Sequence, residues 1–204
     1  MNATVSNKAE NNNVNIGFHS VQIEASQRVT IKRGATVKCD ATFNVIDGVL
    51  HVFSQYDGVT LVLPQVALDT VEIDSEYDSV KCEGLHCNKL LISAAHNVKI
   101  ETSIINECEI SSEYDSVNVF KSTINTLNIS AAQNVNVELD DFCYMEIESE
   151  YNGVKVIYNG NQLVNVDCAS SFGSVKVNGP FYGGPECGKS IVISASQDIR
   201  LLGK

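Results

Sequence analysis

Positive charge is scarce in this chain: fourteen Lys and Arg stand against twenty-five Asp and Glu, a net charge of −11 at pH 7. A nucleic-acid groove needs a basic face, and so does electrostatic docking on an anionic membrane, so both partner classes are excluded. No window approaches 18 consecutive apolar residues, so no helix able to cross a membrane is expected and no membrane insertion follows. The opening MNATVSNKAENNNVN lacks a basic stretch followed by an apolar run, so it does not read as a signal peptide. That predicts a cytoplasmic protein; a mature fragment of an exported precursor would instead sit at the cell surface or in the periplasm. Cysteines are odd in number, seven at 39, 82, 87, 108, 143, 168 and 187, without a framework spacing, which predicts free thiols. Helical patterning is missing too, as are the phosphate loop, the dinucleotide fingerprint, the metalloprotease helix and the Gly-x-Ser-x-Gly elbow.

What the chain does have is a repeat. From residue 71 to 156 it reads VEIDSEYDSVKC, LLISAAHNVKIE, CEISSEYDSVNV, LNISAAQNVNVE and MEIESEYNGVKV. The last apolar residue before each polar turn is Ile73, Ile92, Ile110, Ile129 and Ile147, at steps of 19, 18, 19 and 18. The first residue after each turn is Val80, Val98, Val117, Val135 and Val154. Two turn types alternate, Ser-Glu-Tyr-Asp/Asn-Ser/Gly and the shorter Ser-Ala-Ala-His/Gln-Asn, so the full repeat is 37 residues in two halves. On both sides of every turn apolar residues alternate with Glu, Lys and Asn, the period-2 signature of strands with one buried face.

A unit this small cannot bury its own apolar row, so the units must stack. Like residues at fixed spacing form like-on-like columns in a parallel β-helix, and that is the expected all-β architecture. An antiparallel β-sandwich or barrel is the alternative, with the Asp-Ser and Asn-Gly turns as hairpins. A 37-residue coil would stack equal turns on equal turns but set Glu76, Glu113 and Glu150 about 4.8 Å apart; an 18-to-19-residue coil interleaves them with Ala-rich turns. Equality of turn length favours the larger coil. Residues 1–14 read as a flexible leader, and 15–204 as one β-solenoid domain, regular over 50–160 and irregular over 161–204. VKCDATFNVIDG at 37–48 reads as a degraded unit, and the irregular 30s and the Gly/Pro loop at 180–188 as caps.

Candidate site residues come from the columns. Glu76, Glu113 and Glu150, with Asp78, Asp115 and Asn152 beside them, are similar in chemistry to the paired carboxylates of glycosidases, or to stacked carboxylates on calcium. Their evenness in every copy reads instead as solvated turn residues carried along by duplication. Tyr77, Tyr114 and Tyr151, in line with Tyr56 and Phe172, offer an aromatic platform for sugar rings or a ring-on-ring ladder. Asn97, Asn134 and Asp198 read as residues that close their turns by hydrogen bonds. Cys82, His86, Cys87 and His96 match no structural zinc spacing and read as core thiols with unrelated histidines, so no metal and no cofactor is expected. The loosened repeat at 164–189, where the evenness breaks, is the expected place for a site over the repeated turns.

The alternation LLISAAHNVKI, CEISSEYDSVNV, LNISAAQNVNVE, MEIESEYNGVKV resembles bacterial putative adhesin families, in particular the auto-transporter adhesin, head GIN domain type, over roughly residues 15–204. The family pattern is apolar-x-apolar-Ser-Gly-Ser-Gly-Asp-apolar-x-apolar; here Ala, Glu, Tyr and Asn replace its turn glycines. The resemblance implies a right-handed parallel β-helix and supplies no catalytic residues. The expected function is a non-enzymatic binding or scaffold module for a protein or polysaccharide ligand. The alternatives are a carbohydrate-active β-helix enzyme using the acidic column, and a bactofilin-like self-assembling protein that forms homo-oligomers through its ends or edges.

Overall fold

A computed structural model describes residues 12–13, 17–181, 184 and 187–203. It is all-β, with no helix among the described residues and therefore none long and apolar enough to cross a membrane. The residues expected to form a leader lie, apart from 12 and 13, outside the described set.

The strands pair two by two into rungs, each made of a strand, a polar turn and a second strand. In spatial order, rung 1 is Val49–Ser54 with Val59–Leu63, and rung 2 is Ser20–Ala25 with Val29–Arg33. Rung 3 is Leu68–Ser75 with Val80–Glu83, and rung 4 is His86–Ala94 with Val98–Glu101. Rung 5 runs from Ile104–Ser112 into the long strand Val117–Ala131, whose second half starts rung 6 and leads to Val135–Asp141. Rung 7 is Tyr144–Ser149 with Val154–Tyr158, rung 8 is Ser190–Ala195 with Ile199–Gly203, and rung 9 is Asn165–Ser170 with Val175–Asn178.

Neighbouring rungs join by parallel ladders, in register: Ile73 pairs Ile92, Ile92 pairs Ile110, Ile110 pairs Ile129 and Ile129 pairs Ile147. On the far side of the turns Val80, Val98, Val117, Val135 and Val154 form the matching column. Each of these residues is buried, and each contributes roughly 1.5–3 kcal/mol by leaving water. The ladder step is therefore 18 or 19 residues, which corrects the expectation of a 37-residue coil. The backbone absorbs the difference in turn length, as described below, and Glu76, Glu113 and Glu150 are kept two rungs apart.

Order along the stack is not order along the chain. Rung 2 lies between rungs 1 and 3, pairing Ile23 with both Val52 and Ile73. Rung 8, the C-terminal strands, lies between rungs 7 and 9, pairing Ile193 with both Ile147 and Cys168. The strand pairs of rungs 2 and 8 are thus each set one rung inside the stack, while Asn12–Asn13 pairs antiparallel with Lys38–Cys39 outside rung 1.

The two outer edges differ. Rung 1 is covered by antiparallel strands: Thr42–Ile46 on its first strand and Lys38–Cys39 on its second. Asp47 and Gly48, at φ 49° and 78°, make the hairpin turn, and Cys39, Ala41 and Phe43 are buried beneath. Residues 37–48, expected as a degraded repeat unit, are this cap; hairpin chemistry at Asp-Gly reverses the chain before it can stack in parallel. Rung 9 has no strand on its outer edge among the described residues. Of the Gly/Pro loop at 180–188, expected as a cap, residues 182–183 and 185–186 lie outside the described set. Pro180 O accepts from Val164 N at 2.9 Å, and Phe181 packs toward Tyr158, ring centroids 6.5 Å apart.

A second corner recurs between rungs, where Gly84, Thr102 and Lys121 adopt φ 69°, 49° and 50°. Buried Ser103 and Ser122 stitch it: Ser103 Oγ donates to Glu101 O and accepts from Leu85 N, while Ser122 Oγ accepts from Ser103 N. Glycine suits this backbone and β-branched threonine does not, at a cost of roughly 1–2 kcal/mol. Thr102 is exposed. Replacing Thr102→Gly is expected to raise unfolding stability by about 1 kcal/mol in urea titration; no gain would mean that the threonine conformation is already relaxed.

Candidate functional site

The polar turns line up along one side of the stack, and their lengths alternate rung by rung. In rungs 1, 3, 5, 7 and 9 the turn runs from a serine to a valine five positions later: 54 to 59, 75 to 80, 112 to 117, 149 to 154 and 170 to 175. In rungs 2, 4, 6 and 8 it runs from an alanine to a Val or Ile four positions later: 25 to 29, 94 to 98, 131 to 135 and 195 to 199. The ladder closes over the mismatch by skipping two carbonyls. Ala95 N bonds Ser75 O at 3.1 Å, and the next amide, His96 N, bonds Asp78 O at 3.2 Å. The Glu76 and Tyr77 carbonyls are passed over, while their amides bond Ala25 O and Ser26 O of rung 2 and their side chains are exposed. Rungs 6 and 8 do the same to Glu113–Tyr114 and Glu150–Tyr151.

Skipping would strand a carbonyl on each short turn, and serine removes the problem. Ser75, Ser112, Ser149 and Ser170 donate from Oγ to Gln27 O, His96 O, Gln133 O and Gln197 O at 3.0, 2.8, 2.7 and 2.8 Å. Sequence reasoning missed this role, though the Ser/Ala alternation at the turn entrance signals it. Asp115 and Asp78 add side-chain links, Asp115 accepting from Asn97 Nδ2 at 2.7 Å and Asp78 lying 3.8 Å from Arg28. Asn97 therefore bonds to the next rung rather than closing its own turn. Asp198 does the same, accepting from Ser174 N and Ser174 Oγ at 2.9 and 3.0 Å.

The result is a ridge on which an aromatic ring alternates with a polar side chain: Tyr56, Gln27, Tyr77, His96, Tyr114, Gln133, Tyr151, Gln197, Phe172. All five rings are exposed, at 78, 61, 61, 59 and 84% in chain order. Successive aromatics lie two rungs apart, about 9.6 Å at one strand spacing per rung, too far for the expected ring-on-ring ladder. Tyr114 meets His96 instead, ring centroids 6.1 Å apart and tilted by 50°. Glu76, Glu113 and Glu150 are exposed beside their tyrosines and separated from one another by the Ala95 and Ala132 turns. They raise the neighbouring phenols above the ordinary value, chiefly by hydrogen bonding for Tyr77 and Tyr151 and chiefly by charge for Tyr114.

The other expected candidates divide. Cys82 and Cys87 are buried with Cys108, and burial pushes all three thiols up, Cys87 to about 12, so they are inert core side chains. His86 and His96 are exposed, and no cluster of three or more metal-ligating side chains occurs among the described residues. In the irregular region, Lys189 is buried, with Nζ 2.6 Å from Asp141 Oδ1 and bonded to Phe142 O. The ammonium also lies 5.5 Å from the Phe142 ring centroid, and its hydrogen bond holds the Asp141 carboxyl below the usual range. This contact anchors the entry to rung 8, where Gly153 and Gly173 leave room: a Cβ at either would come 2.4 Å from the backbone of Asp198.

No family model matches the chain, and no curated protein does either. Solved structures similar to it include a "putative cell adhesion protein" from Clostridium sporogenes, 10% identical, covering 99% of this chain and 100% of that one at a TM-score of 0.35. A "putative adhesin" from Bacteroides fragilis is 12% identical, covering 98% and 96% at a TM-score of 0.28.

Two outcomes are expected. Ser112→Ala leaves His96 O uncapped in a part-buried corner and should cost about 1–2 kcal/mol in chemical unfolding, whereas exposed Ser111→Ala should leave the midpoint unchanged. Asp198 is lowered to about 2 on folding, first by the Ser174 amide, then by the Ser174 hydroxyl and Arg200. A depressed carboxyl stabilises above its unfolded pKa and loses that contribution as pH falls through the folded one. The tie from rung 8 to rung 9 should therefore hold at neutral pH and fail between about 3.8 and about 2. Hydrogen-exchange protection of residues 175–178, corrected for intrinsic rates, should drop there before that of residues 117–131.

Proposed function

We propose that residues 15–204 form one right-handed parallel β-helix that works as a non-enzymatic, adhesin-like binding module, with the turn ridge as its ligand surface. The observation that carries this reading is the set of five exposed aromatic side chains in one line, three of them, Tyr77, Tyr114 and Tyr151, at the same skipped ladder. Large exposed rings in a row are costly to keep in water and serve a partner laid along them. The parallel ladders at steps of 18 and 19 support the helical winding.

The same ridge argues against catalysis by the acidic column. A general acid needs a secluded carboxyl whose surroundings favour the protonated form. Glu76, Glu113 and Glu150 are all exposed in near-identical turns, so no asymmetry assigns acid and base. The self-assembling alternative meets a covered end: antiparallel strands occupy the outer edge of rung 1, so open-ended stacking in both directions is blocked.

The test compares wild type with the Tyr77→Ala/Tyr114→Ala/Tyr151→Ala triple variant for retention on a panel of insoluble polysaccharides and on fixed bacterial cells. Wild type is expected to be retained and the variant lost, with unchanged circular dichroism. Equal retention of the two, or release of reducing sugar that Glu113→Gln abolishes, would overturn the reading. Light scattering should show no concentration-dependent filaments.

A further inference from the structure

The ridge has a period, and a period selects among ligands. Aromatic rings recur every second rung, about 9.6 Å apart, with Gln27, His96, Gln133 and Gln197 halfway between. A ligand that uses all the rings must present an apolar face at the same interval and a polar one in between. Extended β-(1→4)-linked pyranose chains do this. Each sugar is turned over relative to the one before, so the same C–H face returns every second residue, and a disaccharide spans close to two rungs. An α-(1→4) chain curls and has no such straight repeat.

Charge narrows the class further. Glu76, Glu113 and Glu150 flank the rings, Asp78 and Asp115 follow them, and the whole chain carries −11. A uronic-acid polymer would bring a carboxylate to each of these positions and be repelled. Hydroxyl and acetamido groups are neutral and find donors and acceptors in the Gln and His side chains.

We infer that the ridge takes an unbranched, uncharged β-(1→4)-linked glycan laid along the stacking direction, with an aromatic ring under every second sugar. This rests on the ridge being a binding surface, and it adds which chemistry that surface selects. The three rings Tyr77, Tyr114 and Tyr151 lie in rungs 3, 5 and 7, four rung spacings from first to last, so a chain of five or six sugars engages all three. Tyr56 and Phe172 extend the track at either end for longer chains.

Isothermal titration of the full chain with soluble oligosaccharides tests it, using cellohexaose and N-acetylchitohexaose against maltohexaose and hexagalacturonate. The β-linked neutral hexamers are expected to bind at least tenfold more tightly than the other two. Affinity should climb in steps of two sugars from dimer to hexamer rather than evenly. Tyr77→Ala, Tyr114→Ala and Tyr151→Ala should each weaken cellohexaose binding roughly two- to tenfold, and Gln133→Ala less. Equal binding of maltohexaose and cellohexaose would overturn the period match while leaving the ridge as a binding surface. Tight binding of hexagalacturonate would overturn the charge selection in the same way. No binding of any oligosaccharide, with retention on cells still lost in the triple tyrosine variant, would overturn the glycan class and leave the binding module standing. Cellohexaose binding unchanged by the tyrosine variants would remove the ridge altogether.

Discussion

A long turn stacks on a short one, and the rest of the structure follows from that. Two long turns in adjacent rungs would each have to push the same two residues out at the same height, with their glutamates one strand spacing apart. A long turn against a short one needs only that two carbonyls be skipped and one stranded carbonyl be capped. The serine at the entrance of each long turn supplies the cap, as Ser112 does for His96 O at 2.8 Å. Alanine holds the same slot in each short turn, Ala94 and Ala131 among them, where a hydroxyl would find no stranded carbonyl to cap.

The unusual order of the rungs obeys the same rule. Along the chain, two long turns come in succession twice, at 54–59 then 75–80, and at 149–154 then 170–175. Stacked in chain order, long would meet long at both places. Placing rung 2 between the first pair and rung 8 between the second restores strict alternation through all nine rungs, each inserted segment bringing a short turn. The glycines at 153 and 173, where any side chain would strike the Asp198 backbone, mark the faces that receive rung 8. The same alternation spaces the aromatic rings, so the geometry of the candidate binding surface is a by-product of how the stack is held together.

Much of this was legible in the sequence, because the period-2 rows and the column residues Ile73 to Ile147 and Val80 to Val154 are local patterns with one physical meaning. Coil length is harder to read from the sequence, because equal turns look as though they should stack, whereas the ladder accommodates unequal turns by skipping two carbonyls. The out-of-order rungs were encoded in the turn lengths but invisible without the rule that reads them. The cap was legible in part: the irregular 30s read as a cap, and Lys38–Cys39 covers rung 1, but Cys39 and Val45 keep the spacing of a repeat unit, and only Asp47–Gly48, a hairpin signal, marks 42–46 as antiparallel. For the candidate site, the tyrosine and glutamate columns are visible in the sequence as repeated turn residues. Their spacing and the Gln/His partners between them required knowing that neighbours in the stack are 18 or 19 residues apart.

Rung 9 shows what the rule does at an edge. Val175 and Val177 are 42 and 44% exposed, although their counterparts in the eight other rungs, such as Val117 and Val119, are buried. Their outer backbone edge has no partner among the described residues. Rung 9 carries a long turn, so only a short-turned strand pair, or an antiparallel one of the kind that covers rung 1, completes it without stacking long on long. The outer edge of rung 9 is thus open to a short-turned strand pair or an antiparallel one, and closed by the turn rule to a long-turned parallel one.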